Sequence, residues 1–436
     1  MHTYSQLAQH LIDTHIVTDP WLDGKPRFSL APIFLSETRY KELCTAAEGI
    51  ARVHDMLCEI LVTSPELLRK FYQLTPYQEY LWHTSSGLWH GIARIDAFIC
   101  PDGRIQICEM NSDTPSGEPE AVELNRMMCL LDSSLRTHIN PNSDMEERFC
   151  TMLMTMYRAT VREELQTDTP SIALVYPTEL TEDMPMIALY RQWFERRGWN
   201  CVLGSPFNLH RLDDNAESHR IGLFGKPIDI VLRHYKTDWW SERQSPWFDE
   251  ESLPDVVPLH REIHLLTKAE QYGAVCIVNP FGAVVTQNKL SMALLWNMIE
   301  HFDAESQHII RTYLPRTYRL IDMQTNPAVH EHTGHSLLDK NHWVLKSDYG
   351  CEGDDVIIGA EVSDEIWQKS LAMAIPQRWV VQEYFLIEPL HADGVLYQPN
   401  YGVYIIGGSA RELYVRLSPS ATDVSALSTA VFVVRE

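Results

Sequence analysis

The chain predicts a mixed α/β protein, α+β in its layout, and three stretches predict it. Between Pro170 and Pro280, short apolar runs alternate with a segment of helical spacing. That is the pattern of a parallel sheet with helices on its faces. Ahead of it, Ala93–Asn111 reads as a β-hairpin, because Asp102-Gly103 sits between two apolar runs. The residues before the hairpin read as helical, with amphipathic stretches at Ala47–Val62 and Pro65–Tyr72.

The hairpin carries the chemistry. With Asp102 and Gly103 as a two-residue loop, Pro101 faces Arg104, Asp96 faces Glu109 and Arg94 faces Asn111. Alternation then puts those four site-forming side chains on one face. Two opposed carboxylates, with Cβ atoms roughly 5 Å apart, repel each other. Something positive belongs between them. Asp96, Glu109 and Asn111 offer only oxygen, the ligand set of a hard cation such as Mg²⁺. Arg94 neutralising one acid on a solvated polar face answers the same need, and the hairpin alone does not choose.

After the turn Asp113–Gly117, a helix is predicted over Glu118–Asp132. In the alternating region the runs are Ser171–Tyr176, a helix Glu182–Arg197 closed by Gly198, then Asn200–Leu203, Ile221–Phe224, Asp229–His234 and Ala274–Val278. No G-x-G-x-x-G follows the first run, so a dinucleotide is not indicated. A helix Asn288–Phe302 comes next, with Lys289 in its first turn. The macrodipole disfavours a cation there, so Lys289 either serves a bound anion or is an ordinary surface lysine.

The strand Trp343–Lys346 ends in a lysine and runs into a loop with Gly350 and Gly353. Glycines let backbone N–H groups curl around phosphate, and Lys346 adds fixed charge; a plain hairpin loop has the same look. The strand Trp379–Phe385 is interrupted by Gln382-Glu383, which suits either an adenine and ribose or a solvated edge. Strands Gly402–Ile406 and Glu412–Arg416 follow. Arg416 faces away from Leu413 and Val415, where it serves a phosphoryl oxygen or solvent.

Composition bounds the rest. The 436 residues suffice for two or three domains, and 45% hydrophobic with 22% charged content is that of an ordinary globular protein. A formal charge of -23 argues against nucleic acid or an anionic membrane as partner and is compatible with a cationic substrate such as a polyamine. Nine cysteines without a CxxC, no signal-peptide pattern and no apolar run of about 20 residues predict a reduced, cytoplasmic protein. His330, His332 and His335 have a spacing that could hold zinc, though a surface loop is the preferred reading. Trp239-Trp240 could stack on a ligand, with packing at a domain junction preferred. No G-x-S-x-G elbow supports serine catalysis.

In order along the chain, Arg94-x-Asp96, Glu109-x-Asn111-Ser112-Asp113-Thr114-Pro115, the alternating region, Asn288-Lys289, Lys346 with its glycine loop, Gln382-Glu383 and Arg416 resemble the glutathionylspermidine synthase family. The likeness runs from Leu81 to the C-terminus and is strongest at His90–Glu123. It implies a circularly permuted ATP-grasp fold with an inserted Rossmann-like pre-ATP-grasp domain. The implied segments are 1–140 with the N-terminal helices and metal-binding hairpin, 141–280 as the inserted domain, 281–390 as the nucleotide-binding lobe and lid, and 391–436 as strands returning to the core.

By that resemblance Asp96, Glu109 and Asn111 hold two Mg²⁺ ions on ATP. Arg94 and Arg416 stabilise the transferred phosphoryl group and the acyl phosphate. Lys289 and Lys346 contact phosphates, the Gly350–Gly353 loop closes over them, and Gln382 with Glu383 meets adenine. Ser112, Thr114 and Ser116 lie where the family binds its carboxylate substrate. The implied reaction joins a small-molecule carboxylate, such as glutathione or a peptide, to an amine such as a polyamine, with ADP as product. A ligase for another acid and amine, or a catalytically silent ATP-binding homologue, are the alternatives. The family's lid loop has proline and arginine where this chain has Ser347 and Cys351, which removes a donor near the phosphates or the acid substrate.

Overall fold

Helix α1 (Glu37–Thr63) begins where Ser36 caps it, the hydroxyl accepting from the Arg39 N–H at 3.1 Å. Its buried residues Leu43, Ala47, Ile50, Val53, Leu57 and Leu61 recur at helical spacing, so one face needs apolar cover. The structure, a computed structural model, describes the chain apart from residues 1–2, 179–182, 213–218, 242–258, 326–334, 351–355, 375–377, 393, 421, 423–424 and 436. Gly353, Cys351, His330 and His332 lie outside the described residues. The segment ahead of the hairpin is not wholly helical, since Ile33–Ser36 forms a strand that pairs in parallel with Val431–Val434.

Strands β1 (Ile92–Ile99) and β2 (Ile105–Asn111) form the predicted hairpin, with a different turn. Cys100 pairs with Arg104, its N–H reaching the Arg104 carbonyl at 2.8 Å, so the loop has three residues, Pro101 to Gly103. Gly103 takes φ +84°, which a side chain would resist. This shifts the register by one, and Ala97 faces Ile107. A bulge at Cys108 then absorbs one residue, so that Asp96 faces Glu109 and Arg94 faces Asn111 after all. Helix α2 (Glu118–Leu131) follows the hairpin.

The alternating region forms a four-stranded parallel sheet from β3 (Ser171–Val175), β4 (Asn200–Gly204), β5 (Ile230–Arg233) and β6 (Cys276–Val278), in the order β6-β5-β3-β4. Helix α3 (Met184–Arg196) links β3 to β4. The expected strand at Ile221–Phe224 does not join this sheet. Ile221–Leu223 pairs antiparallel with Leu209–Arg211 and Lys226–Pro227 in a small sheet of its own.

The expected helix at Asn288–Phe302 is shorter. Helix α4 spans Leu290–Asn297, Lys289 is its cap residue, and a 3₁₀ turn covers Ile299–His301. Strands β7 (Thr317–Arg319), β8 (Trp343–Ser347), β9 (Val356–Ile358) and β10 (Trp379–Glu383) make an antiparallel sheet ordered β7-β10-β8-β9. Finally β11 (Val395–Ile406), β12 (Ser409–Ser418) and β13 (Leu427–Thr429) extend the hairpin into a sheet ordered β13-β12-β11-β1-β2. Ile95, Ala97, Val403, Leu413 and Val415 from one face of it pack with the buried residues of α1 in a single core. The other face carries Arg94, Asp96 and Arg416, and at one end its Ile92, Tyr404 and Ile406 pack into a second core. No helix among the described residues is long and apolar enough to cross a membrane.

Candidate functional site

The polar face of the extended sheet is organised by register. Asp96 faces Glu109 on one side and Gly402 on the other, and Gly402 faces Tyr414. Gly402 leaves a gap in that row: a Cβ there would lie 2.8 Å from Cδ of Arg94. Arg94 lies across the gap and binds Asp96, Nε to Oδ1 at 2.8 Å. Arg416 reaches Oδ2 of the same carboxylate at 2.7 Å, and Asn400 Nδ2 donates to it at 3.2 Å. Burial alone would push the Asp96 carboxyl up, but the two guanidiniums outweigh it and hold it well below the usual range.

These residues form one wall of a cavity of about 500 Å³. Glu109, Asn111, Thr114 and Ser116 are on the same wall. Lys346 and Gln382 line the same cavity, joined by a 2.8 Å hydrogen bond from Nζ to Oε1, together with the apolar side chains of Val344, Val356, Ile358 and Phe385. Glu383 does not line the cavity, since the next residue along a strand points to the other face. Lys289 is buried rather than exposed; its Nζ donates to the Gly350 carbonyl at 2.5 Å and lies 3.6 Å from Glu109 Oε2. Ser112 is also withdrawn from the cavity, its hydroxyl bonded to Thr286 at 2.7 Å and its N–H to Gln287 at 2.8 Å. Of the tryptophan pair, Trp239 lines the cavity, while Trp240 is fully buried and donates to the Tyr235 carbonyl at 3.0 Å.

Glu109, Asn111 and Asp96 together suit a hard cation chemically, all presenting oxygen to one wall. Glu109 is the most available of the three, because Asp96 already accepts from two arginines and an amide. Among the described residues no group of three or more His, Cys, Asp or Glu side chains comes together as a metal cage. The candidate set is two carboxylates and an amide.

Residues outside the sequence expectations complete the site. Asn400 and Gly402 bring β11 into it, and Gln287 Nε2 donates to Asn111 Oδ1 at 3.3 Å. Tyr414 lies beneath both arginines, each 5.8 Å from its ring. Asn400 had a visible signal: with Gln398 it is one of two polar side chains in a strand that is otherwise apolar through Ile406. The Ser116 carbonyl accepts from Arg94 Nη1 at 2.6 Å and from the Tyr404 hydroxyl at 2.9 Å, which fixes the loop bearing Thr114.

That loop depends on Gly117, which has φ +101° and whose Cβ would fall 2.4 Å from the Tyr414 ring. Gly117→Ala is expected to cost more than about 1 kcal/mol in urea unfolding, because both the backbone and the ring must move.

Behind the loop, Glu118 is fully buried, its Oε1 accepting from the Tyr190 hydroxyl at 3.1 Å and its Oε2 without a partner among the described residues. Burial raises its pKa from 4.5 to about 7. Between those values the folded protein keeps a proton that the unfolded chain has released, so this group's contribution to stability falls as pH rises through that window. Glu118→Gln is therefore expected to flatten the pH dependence of unfolding between pH 4.5 and 7, gaining roughly 3 kcal/mol over the parent at pH 8. Urea titrations of both proteins across that range measure it.

Comparison with known proteins bears on the family and the fold. The family model for the glutathionylspermidine synthase preATP-grasp matches residues 47–431. No curated protein sequence matches the chain. The apo structure of a glutathione synthetase-like effector from Globodera pallida is similar with a TM-score of 0.60 at 12% identity, over 100% of this chain and 98% of that one, a likeness of fold. A putative gamma-glutamylcysteine synthetase from Methylobacillus flagellatus KT aligns over 86% of this chain and 84% of its own, at 11% identity and a TM-score of 0.42. With the family model spanning most of its length, the chain belongs to the glutathionylspermidine synthase preATP-grasp family.

Proposed function

We propose that the protein is an ATP-dependent carboxylate–amine ligase, ADP-forming, of the glutathionylspermidine synthase type. The observation that carries the reading is the pair Arg94 and Arg416 converging on Asp96 beside Glu109, in one cavity with Lys346 and Gln382. Two guanidiniums at a cavity wall stabilise charge on a phosphoryl group in transfer. Gln382, with the apolar side chains near it, suits a purine base, and Lys346 suits the phosphates next to it. Thr114 and Ser116 offer hydrogen bonds to the acid substrate. Magnesium, two ions in the family pattern, would be held by Glu109 and Asn111 with Asp96, and would neutralise the ATP phosphates.

In the same reading the chain is a permuted ATP-grasp fold, with the cation-binding hairpin ahead of the nucleotide strands and boundaries near 140, 280 and 390. Lys289 then acts through Glu109 and the lid loop. Eight free thiols among the described residues support a reducing, cytoplasmic setting. Cys351, standing where the family's lid has arginine, favours a second reading, the same chemistry on a different acid and amine.

Purified protein incubated with Mg-ATP, glutathione and spermidine, separately and together, tests the proposal. ADP formed only with both substrates, with a conjugate of matching mass, is the expected result. ADP formation with other acids and amines alone would move the assignment to the second reading. ATP binding without turnover on any pair would make the chain a silent homologue.

A further inference from the structure

The parallel sheet has the strand order β6-β5-β3-β4, so its connections reverse direction between β3 and β5. The crevice at the carboxyl ends of two such strands is where open α/β sheets bind ligands. Two side chains meet across it here. His234 directly follows β5, and Asp183 sits at the N-cap position of α3, the helix after β3, with no side-chain hydrogen bond to it. Nε2 of His234 lies 2.9 Å from Oδ1 of Asp183, and both residues line the same cavity as Arg94 and Arg416. With the proton on Nε2, shared with the carboxylate, Nδ1 keeps its lone pair, and no described residue bonds to it. Histidine and carboxylate are thus placed as a base and its orienting partner.

We propose that His234 is the proton acceptor for the amine substrate, with Asp183 as its positioning residue. The proposal rests on the ligase reading. In the step, the amine nitrogen forms the C–N bond at the carbonyl carbon of the acyl phosphate. The C–O bond to phosphate breaks, and its electron pair leaves on the phosphate oxygen. Ahead of that attack, one N–H bond of the substrate ammonium gives its electrons to nitrogen and the proton moves to Nδ1 of His234; after it, the second N–H proton leaves with the departing phosphate. Asp183 stabilises the resulting imidazolium, which then releases the proton to water.

The test compares two nucleophiles in the full-length protein with Mg-ATP and glutathione. Spermidine is protonated at neutral pH and needs a base, whereas hydroxylamine is largely unprotonated and traps an acyl phosphate as hydroxamate without one. His234→Gln is expected to slow conjugation to spermidine by about 10²-fold or more while hydroxamate formation changes by less than about threefold, within the small effects of a lost neutral contact. Asp183→Asn should show the same split to a lesser degree. Equal loss of both products in His234→Gln would assign His234 a structural role and overturn the proposal. Unchanged conjugation to spermidine would overturn it as well. If the parent protein gives neither hydroxamate nor ADP with glutathione or with any other acid, the ligase reading fails and the proposal falls with it.

Discussion

Glu109→Ala is expected to reduce ATP-dependent turnover by about 10²-fold or more and to leave unfolding by urea nearly unchanged. Asp96→Ala is expected to lose both activity and stability. The two carboxylates face each other across one rung of the hairpin, yet their surroundings differ. Glu109 is partly exposed, and its nearest cation is Lys289 at 3.6 Å. Asp96 is buried between Arg94 and Arg416. Removing it leaves two guanidiniums facing each other without their counter-ion, and breaking a buried pair this way costs about 3–5 kcal/mol. ADP release and urea midpoints on both variants decide the matter. Near-normal turnover in Glu109→Ala would remove the cation assignment, and parent-like stability in Asp96→Ala would show that the arginines do not depend on it.

A second large effect is expected at Arg233, whose side chain is fully buried. Its Nη2 donates to Asp113 Oδ1 at 2.6 Å, Nη1 to the Tyr235 carbonyl at 2.8 Å, and Nε to the Asn279 carbonyl at 3.2 Å. The guanidinium also lies 4.7 Å from the Phe281 ring centroid. It ties the parallel sheet to the start of the loop that carries Thr114 and Ser116. Arg233→Met should cost about 3–5 kcal/mol, since it leaves the buried Asp113 carboxylate with only Thr237, among the described residues, to answer it. Adding Asp113→Asn should recover part of that loss, because the orphaned charge goes with it. Urea unfolding of the single and double variants measures both numbers. A double variant no more stable than Arg233→Met would mean that packing, not charge, sets the cost.

Much of the hairpin was legible because alternation is a local rule. Asp96 opposite Glu109 follows from a count of residues, and the error of one in the turn is cancelled by the bulge at Cys108. The bulge itself left a trace. Ile105 and Ile107 are apolar at odd positions and Met110 at an even one, so β2 must change faces between them. An unbroken strand would have set Glu109 beside Ile107 on the core side. What could not be read locally was the destination of a side chain. The strand pattern placed Arg416 on a polar face but could not say that Asp96 waited there. His234 and Asp183 meet across 51 positions with no motif to announce them. Lys289 has the residue type of a phosphate ligand, yet the fold buries it against Glu109 and the Gly350 carbonyl.

The sheet order also has a consequence for how the molecule is made. Arg94 lies two residues from Asp96, but Asn400 and Arg416 lie 304 and 320 positions further along the chain. On the ribosome the hairpin emerges long before the strands that complete its sheet, and contacts of such sequence separation form slowly. Until then one edge of β1 is unpaired and its carboxylate has only one of its two guanidiniums. The centre of the cavity is thus among the last parts to assemble, and the nascent chain must carry an open, apolar-backed strand for most of its synthesis.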